Sequence, residues 1–438
     1  MYCCGLPSFP PPAGRAPPSG ALDVTTEQQS LTRAIIERHD AFLSPNYPRL
    51  PIAMQRGEGS RLFDADGREY LDLFSGFGAS ILGHCHRELV EAVTTQAGRL
   101  WHVGNLLHTE PQTLAAKAIA EAGFGGQSFF SHSGADANEA AIKLARLYGR
   151  QHPGSDGPRY GIISANQSFH GRSFATMGAT GQPKVREGFE PLPEGFANVP
   201  YNDLEAMRQQ IDSRTIGILI EPIQGEGGIN LPDGDFLPGL RRLCDEHNLL
   251  LIFDEVWTGC GRTGRWFGYQ HWDVKPDIMT LGKGIGGGMA VGAMCARPEL
   301  AELYDARKQG TVRHATTLGG NCLAMAVTAK LFEVIARDRL LDHASAMGAR
   351  AVQRLERMQS RLGLIREIRG RGLFIGIELD LEAGAWFDGA AAVMKRCLEQ
   401  GLLIGTAQQA VLRLAPPLVI TPSELDEGID RLERVLTG

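Results

Sequence analysis

Along the middle of this chain, short apolar runs end abruptly in polar or small residues, and stretches of helical spacing separate them. Residues 127–130, 160–164, 216–220, 249–253, 277–281 and 289–295 read as strands; 136–148 and 236–246 place apolar residues on one helical face. Strands alternating with helices from about residue 129 to 296 predict a doubly wound, largely parallel sheet. Before it, a helical pattern runs from Thr26 through Leu31, Ile35 and Ile36, and residues 61–72 read as a hairpin turning at Asp66-Gly67. Residues 88–100 and 112–122 read as amphipathic helices. After Asn321 the pattern changes: helices over 323–335 and 343–361, a strand over 372–378, a helix over 390–400, a strand over 411–414 and a last helix over 424–436. These predict a smaller α+β domain. The resulting division is a disordered tail (1–24), an N-terminal segment packing with the small domain (25–75), a large domain (76–320) and a C-terminal small domain (321–438).

Two of the strands deliver chemistry. The run Leu249-Leu-Leu-Ile-Phe253 stops at Asp254-Glu255, and Asp277-Ile-Met-Thr-Leu281 leads into Gly282-Lys283-Gly284-Ile285-Gly286-Gly287-Gly288. A continuous apolar run is the mark of a strand buried on both faces, and ligands bind at the carboxyl ends of such strands. An acid and a lysine at one crevice, the lysine among glycines that leave room on its amine, suggest Schiff-base chemistry with a carbonyl cofactor. Singly, Asp254 reads as a cap and Lys283 as a solvated loop lysine; their joint placement favours the chemical reading. Gly282-x-Gly284-x-x-Gly287 matches the dinucleotide fingerprint, but that fingerprint opens a helix and a strand follows here; Gly284 after Lys283 also disfavours a phosphate loop. Upstream, the strand 127–130 runs through Ser131-His-Ser-Gly-Ala135 into a helix. A helix N-terminus after a small-residue turn is either an anion site or an ordinary capped helix, and Lys283 tips the balance to the anion. His84-Cys85-His86 has no usual zinc spacing and points to a structural or pocket-edge role, so no metal is expected.

Composition narrows the class. The 438 residues suffice for a large core and two domains. A net charge of −6 suggests neither a nucleic-acid nor an anionic-membrane surface, and no apolar stretch is long enough to span a bilayer. The 8 cysteines contain no Cys-x-x-Cys pair, which fits reduced thiols in a cytoplasmic enzyme. Residues 1–20, rich in Pro, Gly and Ser without an apolar signal core, read as a disordered tail or a start codon set too early, and Cys3-Cys4 as incidental.

Seven motifs in order resemble one family: Ser133-Gly-Ala-Asp-Ala-Asn-Glu-Ala-Ala-Ile-Lys143, Phe169-His-Gly-Arg172, Glu221-Pro-Ile-Gln-Gly-Glu-Gly-Gly228, Asp254-Glu-Val-Trp-Thr-Gly-Cys-Gly-Arg-Thr-Gly264, Leu281-Gly-Lys-Gly284, Thr317-Leu-Gly-Gly-Asn321 and Leu412-Arg-Leu-Ala-Pro-Pro417. They resemble the class III aminotransferases, pyridoxal-phosphate enzymes of fold type I. Within that family, Leu100-Trp-His-Val-Gly-Asn-Leu-Leu107 with Glu110-Pro-Gln112, and residues 401–418, are most similar to the N-acetylornithine branch. The resemblance implies Lys283 as the Schiff-base lysine and proton shuttle, and Asp254 as the partner of the pyridine nitrogen. Phe169 would stack on the ring, and Ser133, Gly134 and Ala135 would hold the phosphate. It implies that Thr317 reaches the phosphate of a neighbouring subunit, hence a homodimer with shared sites. Arg172 would take a distal substrate carboxylate and Arg413 the α-carboxylate of glutamate, with Glu226 covering Arg413 when no such carboxylate is present.

Four positions depart from the family pattern: Trp257 where Gln contacting the cofactor's phenolic oxygen is common, Cys322 for Pro, Leu318 for an aromatic and Ser80 for Asn. The implied reaction moves the terminal amino group of N-acetylornithine to 2-oxoglutarate in arginine synthesis. Alternatives are another ω-amine donor (succinylornithine, ornithine, 4-aminobutyrate or a diamine), a pyridoxal-phosphate aminomutase, and, from other classes, a nicotinamide oxidoreductase or a binding protein without catalysis.

Overall fold

The structure, a computed structural model, describes residues 30–383 and 386–438. The expected tail, Cys3-Cys4 and Thr26 lie outside the described residues. Residues 30–53 hold one helix, Leu31–Phe42, whose N-terminus is capped by Ser30: its hydroxyl accepts from Arg33 N at 3.1 Å.

From residue 54 the chain opens with an antiparallel meander, β1 (Met54–Glu58), β2 (Arg61–Asp64) and β3 (Glu69–Asp72). The hairpin expected at Asp66-Gly67 is there, and the side chain of Asp64 holds it: the amides of Asp66 and Arg68 and the hydroxyl of Tyr70 all donate to it, at 3.1, 2.8 and 2.9 Å.

The large sheet contains β4 (Gln127–Ser131), β5 (Gly161–Ala165), β6 (Phe196–Val199), β7 (Thr215–Ile220), β8 (Leu250–Asp254), β9 (Ile278–Leu281) and β10 (Gly292–Ala296), in the spatial order β4-β10-β9-β8-β7-β5-β6. The five strands β6 to β9 and β5 are parallel; β10 runs antiparallel to both β9 and β4. Since β4 opposes β10, which opposes β9, the carboxyl ends of β4, β5, β7, β8 and β9 share one edge. Every residue of β7 and β8 is buried. Along β8, Leu250 and Ile252 join the cluster of helix Gly134–Gln151, and Leu251 and Phe253 join that of helix Phe236–His247. This two-sided cover is why β8 is apolar up to its final Asp254.

The last third holds β11 (Ile365–Arg371), β12 (Phe374–Leu379), β13 (Leu402–Leu403), β14 (Gly405–Ala407) and β15 (Val411–Leu414). β11, β12, β15 and β14 form an antiparallel sheet in that order, while β13 pairs in parallel with β3. Helices Cys322–Arg337, Leu340–Leu362, Ala390–Glu399 and Pro422–Thr437 accompany them. No described helix is long and apolar enough to cross a membrane.

Candidate active site

The carboxyl edge of the large sheet encloses a cavity of about 370 Å³, lined by the turn His132-Ser-Gly-Ala135 after β4, Phe169 to Arg172 after β5, Glu221 after β7, Asp254, Val256 and Trp257 at the end of β8, and Lys283 after β9. Residues far apart in sequence meet here because the sheet sends these strands the same way.

Helix Gly134–Gln151 begins at Ser133, whose hydroxyl accepts from Asp136 N at 3.2 Å and donates to the Asp136 carboxylate at 3.0 Å. The first N–H groups of a helix have no partner within it, and Gly134 and Ala135, which carry two of them, line the cavity. Glycine is required: a Cβ on Gly134 would lie 2.6 Å from Val256 Cγ2, and one on Gly282 would lie 2.9 Å from Gly134 Cα. The turn carrying Lys283 therefore packs directly on the helix N-terminus.

Asp254 is the last residue of β8 and is 4% exposed. Asn138 Nδ2 and His170 Nδ1 donate to its Oδ2, each at 2.8 Å, and Val256 N donates to Oδ1 at 3.0 Å. Asn138 is itself fixed, donating to His170 O at 2.8 Å and accepting from Thr280 Oγ1 at 2.7 Å. The carboxylate is thus buried and fully oriented, and it has room for one more donor at Oδ1. Sequence reading passed over Asn138 and His170 as site residues; both lie inside quoted motifs, but only the fold brings them to Asp254.

Lys283 has a left-handed backbone, φ 45°, at the head of a single 3₁₀ turn, Lys283–Gly286. No longer helix opens here, which removes the basis for the dinucleotide fingerprint. Burial lowers the Lys283 pKa to about 8, against the opposing pull of Glu226, Asp254 and Glu221. The amine is uncharged above that value and so able to attack a carbonyl. Incorporation of an aldehyde cofactor into the cofactor-free protein is therefore expected to speed up about tenfold per pH unit between pH 6 and 7 and to level off above about 8. Stopped-flow absorbance across pH checks this; a flat profile would mean the amine is not the titrating group.

Glu221 is a third residue that sequence reading left without a role. Its carboxylate accepts from Phe169 N at 3.3 Å and Gly225 N at 3.2 Å, pegging together the loops after β5 and β7. Burial, with the Asp254 carboxylate nearby, raises its pKa well above the ordinary range. Arg172 lines the cavity with its guanidinium 5.7 Å from the Phe169 ring centroid.

Glu226 and Arg413 meet beside the cavity. Arg413 lies on β15 opposite Gly376 of β12 and is 2% exposed; its guanidinium donates to Glu226 Oε1 at 2.9 Å and to Gly225 O at 3.3 Å. Burial alone would raise the Glu226 pKa, but the Arg413 charge and hydrogen bond, with Lys283 close by, hold it low. A Cβ on Gly376 would lie 2.9 Å from Ile229 Cβ, so the turn bearing Glu226 lies flat on the sheet bearing Arg413. Trp257 stands between Lys283 and Arg413, with Lys283 Nζ 4.6 Å and Arg413 Cζ 5.4 Å from its ring. Thr317, by contrast, stands on an exposed loop and is not among the residues lining the cavity. His84 donates from Nε2 to Asp72 at 2.8 Å, as one of the small structural contacts around β3.

A helix N-terminus, the Phe169 ring, the buried Asp254 carboxylate and the desolvated Lys283 amine together suit a ligand with an anion, an aromatic face, a ring nitrogen and a carbonyl. Pyridoxal phosphate offers all four. The sequence profile of the family described as aminotransferase class-III matches residues 42–436. The chain belongs to the class-III aminotransferases. It is 45% identical over 396 residues to the acetylornithine aminotransferase of Caldanaerobacter subterraneus subsp. tengcongensis, covering 90% of this chain and 97% of that one. It is 43% identical over 409 residues to a succinylornithine transaminase/acetylornithine aminotransferase of Pseudomonas aeruginosa, covering 93% and 98%. Among solved structures, the ornithine aminotransferase of Toxoplasma gondii, whose active site holds pyridoxal phosphate at partial occupancy, superposes with a TM-score of 0.86 at 30% identity, covering 93% of this chain and 95% of that one. As a class-III aminotransferase the protein is a pyridoxal-phosphate enzyme of fold type I.

Proposed function

We propose that this aminotransferase moves the terminal amino group of N-acetylornithine to 2-oxoglutarate, giving the semialdehyde and glutamate, a step of arginine synthesis. Pyridoxal phosphate, when bound, supplies the carbonyl that carries the amino group and a ring that withdraws electrons from the reacting carbon. Lys283 Nζ would hold the cofactor by its carbonyl and, as a desolvated amine, would move the proton at the reacting carbon. Asp254 keeps the ring nitrogen protonated, with Asn138 and His170 orienting its carboxylate. Gly134 and Ala135 N–H groups and the Ser133 turn take the phosphate, and Phe169 covers one ring face. Arg172 takes a distal carboxylate of the substrate.

The observation that carries the two-substrate reading is the Glu226–Arg413 pair beside Lys283. Glutamate has a carboxylate next to its reacting amine; the terminal amine of N-acetylornithine has none. A bare buried guanidinium is costly, so Glu226 covers Arg413 for the ω-amine and yields it to the α-carboxylate. The relatives supply the donor, since curated enzymes that share over 40% of their residues with this chain are named for acetylornithine. The dual name of the Pseudomonas aeruginosa relative favours succinylornithine as the second donor to test.

The test is a donor panel with and without 2-oxoglutarate, followed by single-turnover absorbance of wild type and Glu226→Ala. N-acetylornithine is expected to be the fastest donor, and turnover to need the oxo acid; turnover without it would mean an aminomutase. Glu226→Ala is expected to leave the glutamate half-reaction at or above its wild-type rate and to slow the ω-amine half-reaction about tenfold, roughly 1.4 kcal/mol. Equal losses in both would make Glu226 a scaffold residue.

The working unit in this reading is a homodimer in the cytoplasm, in which Thr317 reaches the phosphate held by the neighbouring subunit. Supporting it, Trp101, Leu106 and Leu318 are 62%, 96% and 49% exposed, and Asn105 ties their two loops together by donating to Thr316 O and Gly319 O. Apolar side chains grouped in this way call for a covering surface. Residues 76–320 form the cofactor domain and 321–438 the small domain.

A further inference from the structure

We propose that Trp257 is a hydrogen-bond donor to the α-carboxylate of the oxo acid and of glutamate, completing with Arg413 the site that distinguishes these from the ω-amine. The inference rests on the reading above, in which that carboxylate displaces Glu226 from Arg413.

The indole is 6% exposed and forms part of the cavity wall. It stands between the reacting amine and the guanidinium, within 4.6 Å of Lys283 Nζ and 5.4 Å of Arg413 Cζ. It is also held in place. Phe374 stacks on it with centroids 5.1 Å apart, and a Cβ on Gly225 or Gly78 would come within 2.6 or 2.7 Å of it. A ring clamped on three sides does not swing to look for partners; its N–H keeps one direction.

That N–H has no acceptor. Trp257 Nε1 is buried without a hydrogen-bond partner, and so is Nε of Arg413. Buried donors without acceptors are rare in folded proteins and point to a group that arrives later. Arg413 donates to Glu226 Oε1 at 2.9 Å, and the nearby indole N–H helps hold the Glu226 carboxyl low, although no hydrogen bond of good geometry joins them. With Glu226 in place, therefore, the indole donor faces a carboxylate but is not satisfied by it. A free carboxylate, not tethered to the turn at Gly225, can settle deeper and take the indole donor as well as the guanidinium. Trp257 then stabilises a bound substrate carboxylate more than it stabilises Glu226. The bland reading is that the indole only fills space.

The test uses the holoenzyme and glutarate, a dicarboxylate that cannot react. By calorimetry, Trp257→Phe, which keeps an aromatic body and loses the donor, is expected to bind glutarate about tenfold more weakly than wild type, roughly 1.4 kcal/mol. Trp257→Gln, which restores an N–H, is expected to recover part of the loss. KM for 2-oxoglutarate should rise with the glutarate constant in Trp257→Phe, and by a larger factor than any change in KM for the ω-amine. In wild type, one of the 5 tryptophan indole N–H signals in the proton–nitrogen spectrum is expected to move downfield on adding glutarate, a readout that needs no variant. Equal glutarate binding by wild type and Trp257→Phe, or no shifted indole signal, overturns the role of Trp257 and leaves Arg413 as the sole carboxylate ligand. Failure of wild type to bind glutarate at all overturns the carboxylate site, and this inference with it.

Discussion

Lys283→Ala is expected to lower turnover at least about ten-thousand-fold, roughly 5.5 kcal/mol in the barrier, and to leave the fold intact. Its amine is the one nucleophile among the cavity residues whose pKa is lowered to a useful value, about 8. Glu221 and Asp254 are carboxylates already engaged with amides, so neither replaces it as a proton carrier at the reacting carbon. Stability should hold because the amine is desolvated rather than well paired, and alanine meets the positive φ at 283 no worse than lysine does. Steady-state rates together with a thermal melt check both halves. A variant turning over near the wild-type rate would remove Lys283 from the chemistry; an unfolded one would make it a structural residue.

Asp254→Asn carries the second large effect, a fall in kcat/KM of about a hundredfold or more, roughly 2.7 kcal/mol. A neutral amide no longer favours a proton on the ring nitrogen. The hydrogen bonding adds to the loss. Asp254 accepts from Asn138, His170 and Val256, and asparagine must turn an NH₂ toward one of these donors. A modest drop in melting temperature is therefore expected as well. Kinetics and the absorbance of the bound cofactor separate the two contributions, since loss of packing alone leaves the spectrum of the folded holoenzyme unchanged. A loss below about tenfold would mean that another group protonates the ring.

Much of this was legible in the chain because parallel strands buried on both faces leave an unusually plain record. The run before Asp254 is apolar at every position and that before Lys283 nearly so, since each face meets a helix cluster, and their ends show as abrupt changes of residue type. β11 was missed for the opposite reason. It lies at an edge of its sheet, and its sequence Ile-Arg-Glu-Ile-Arg-Gly-Arg is mostly charged and only partly buried. The expected strand start at 372 fell instead in the turn between β11 and β12, where Gly372 has φ 54°. β6 was passed over as well, being a four-residue edge strand whose first three residues are only half-buried.

In the site, the residues of the motifs could be named in advance, but not how they meet. Nothing in the spacing of Asn138, His170 and Asp254 says that three different elements converge on one carboxylate oxygen. Nor does the sequence show that the N–H of Trp257 goes unanswered, because that depends on how Gly78, Gly225 and Phe374 hold the ring.

The reversed strand β10 also sets an order of assembly. It separates β4 from the rest of the large sheet, and Ser131 of β4 pairs with Gly292 of β10. On the ribosome, β4 and the helix that follows it emerge long before β10. The strand that leads into the Gly134 helix start must wait, unpaired along its edge, until the strand beyond the lysine turn has been made. Such distant pairings are slow to form. The anion cradle and the lysine thus become a single site only when this last strand is inserted, and a nascent chain cut short before it has no complete pocket in which to retain the cofactor.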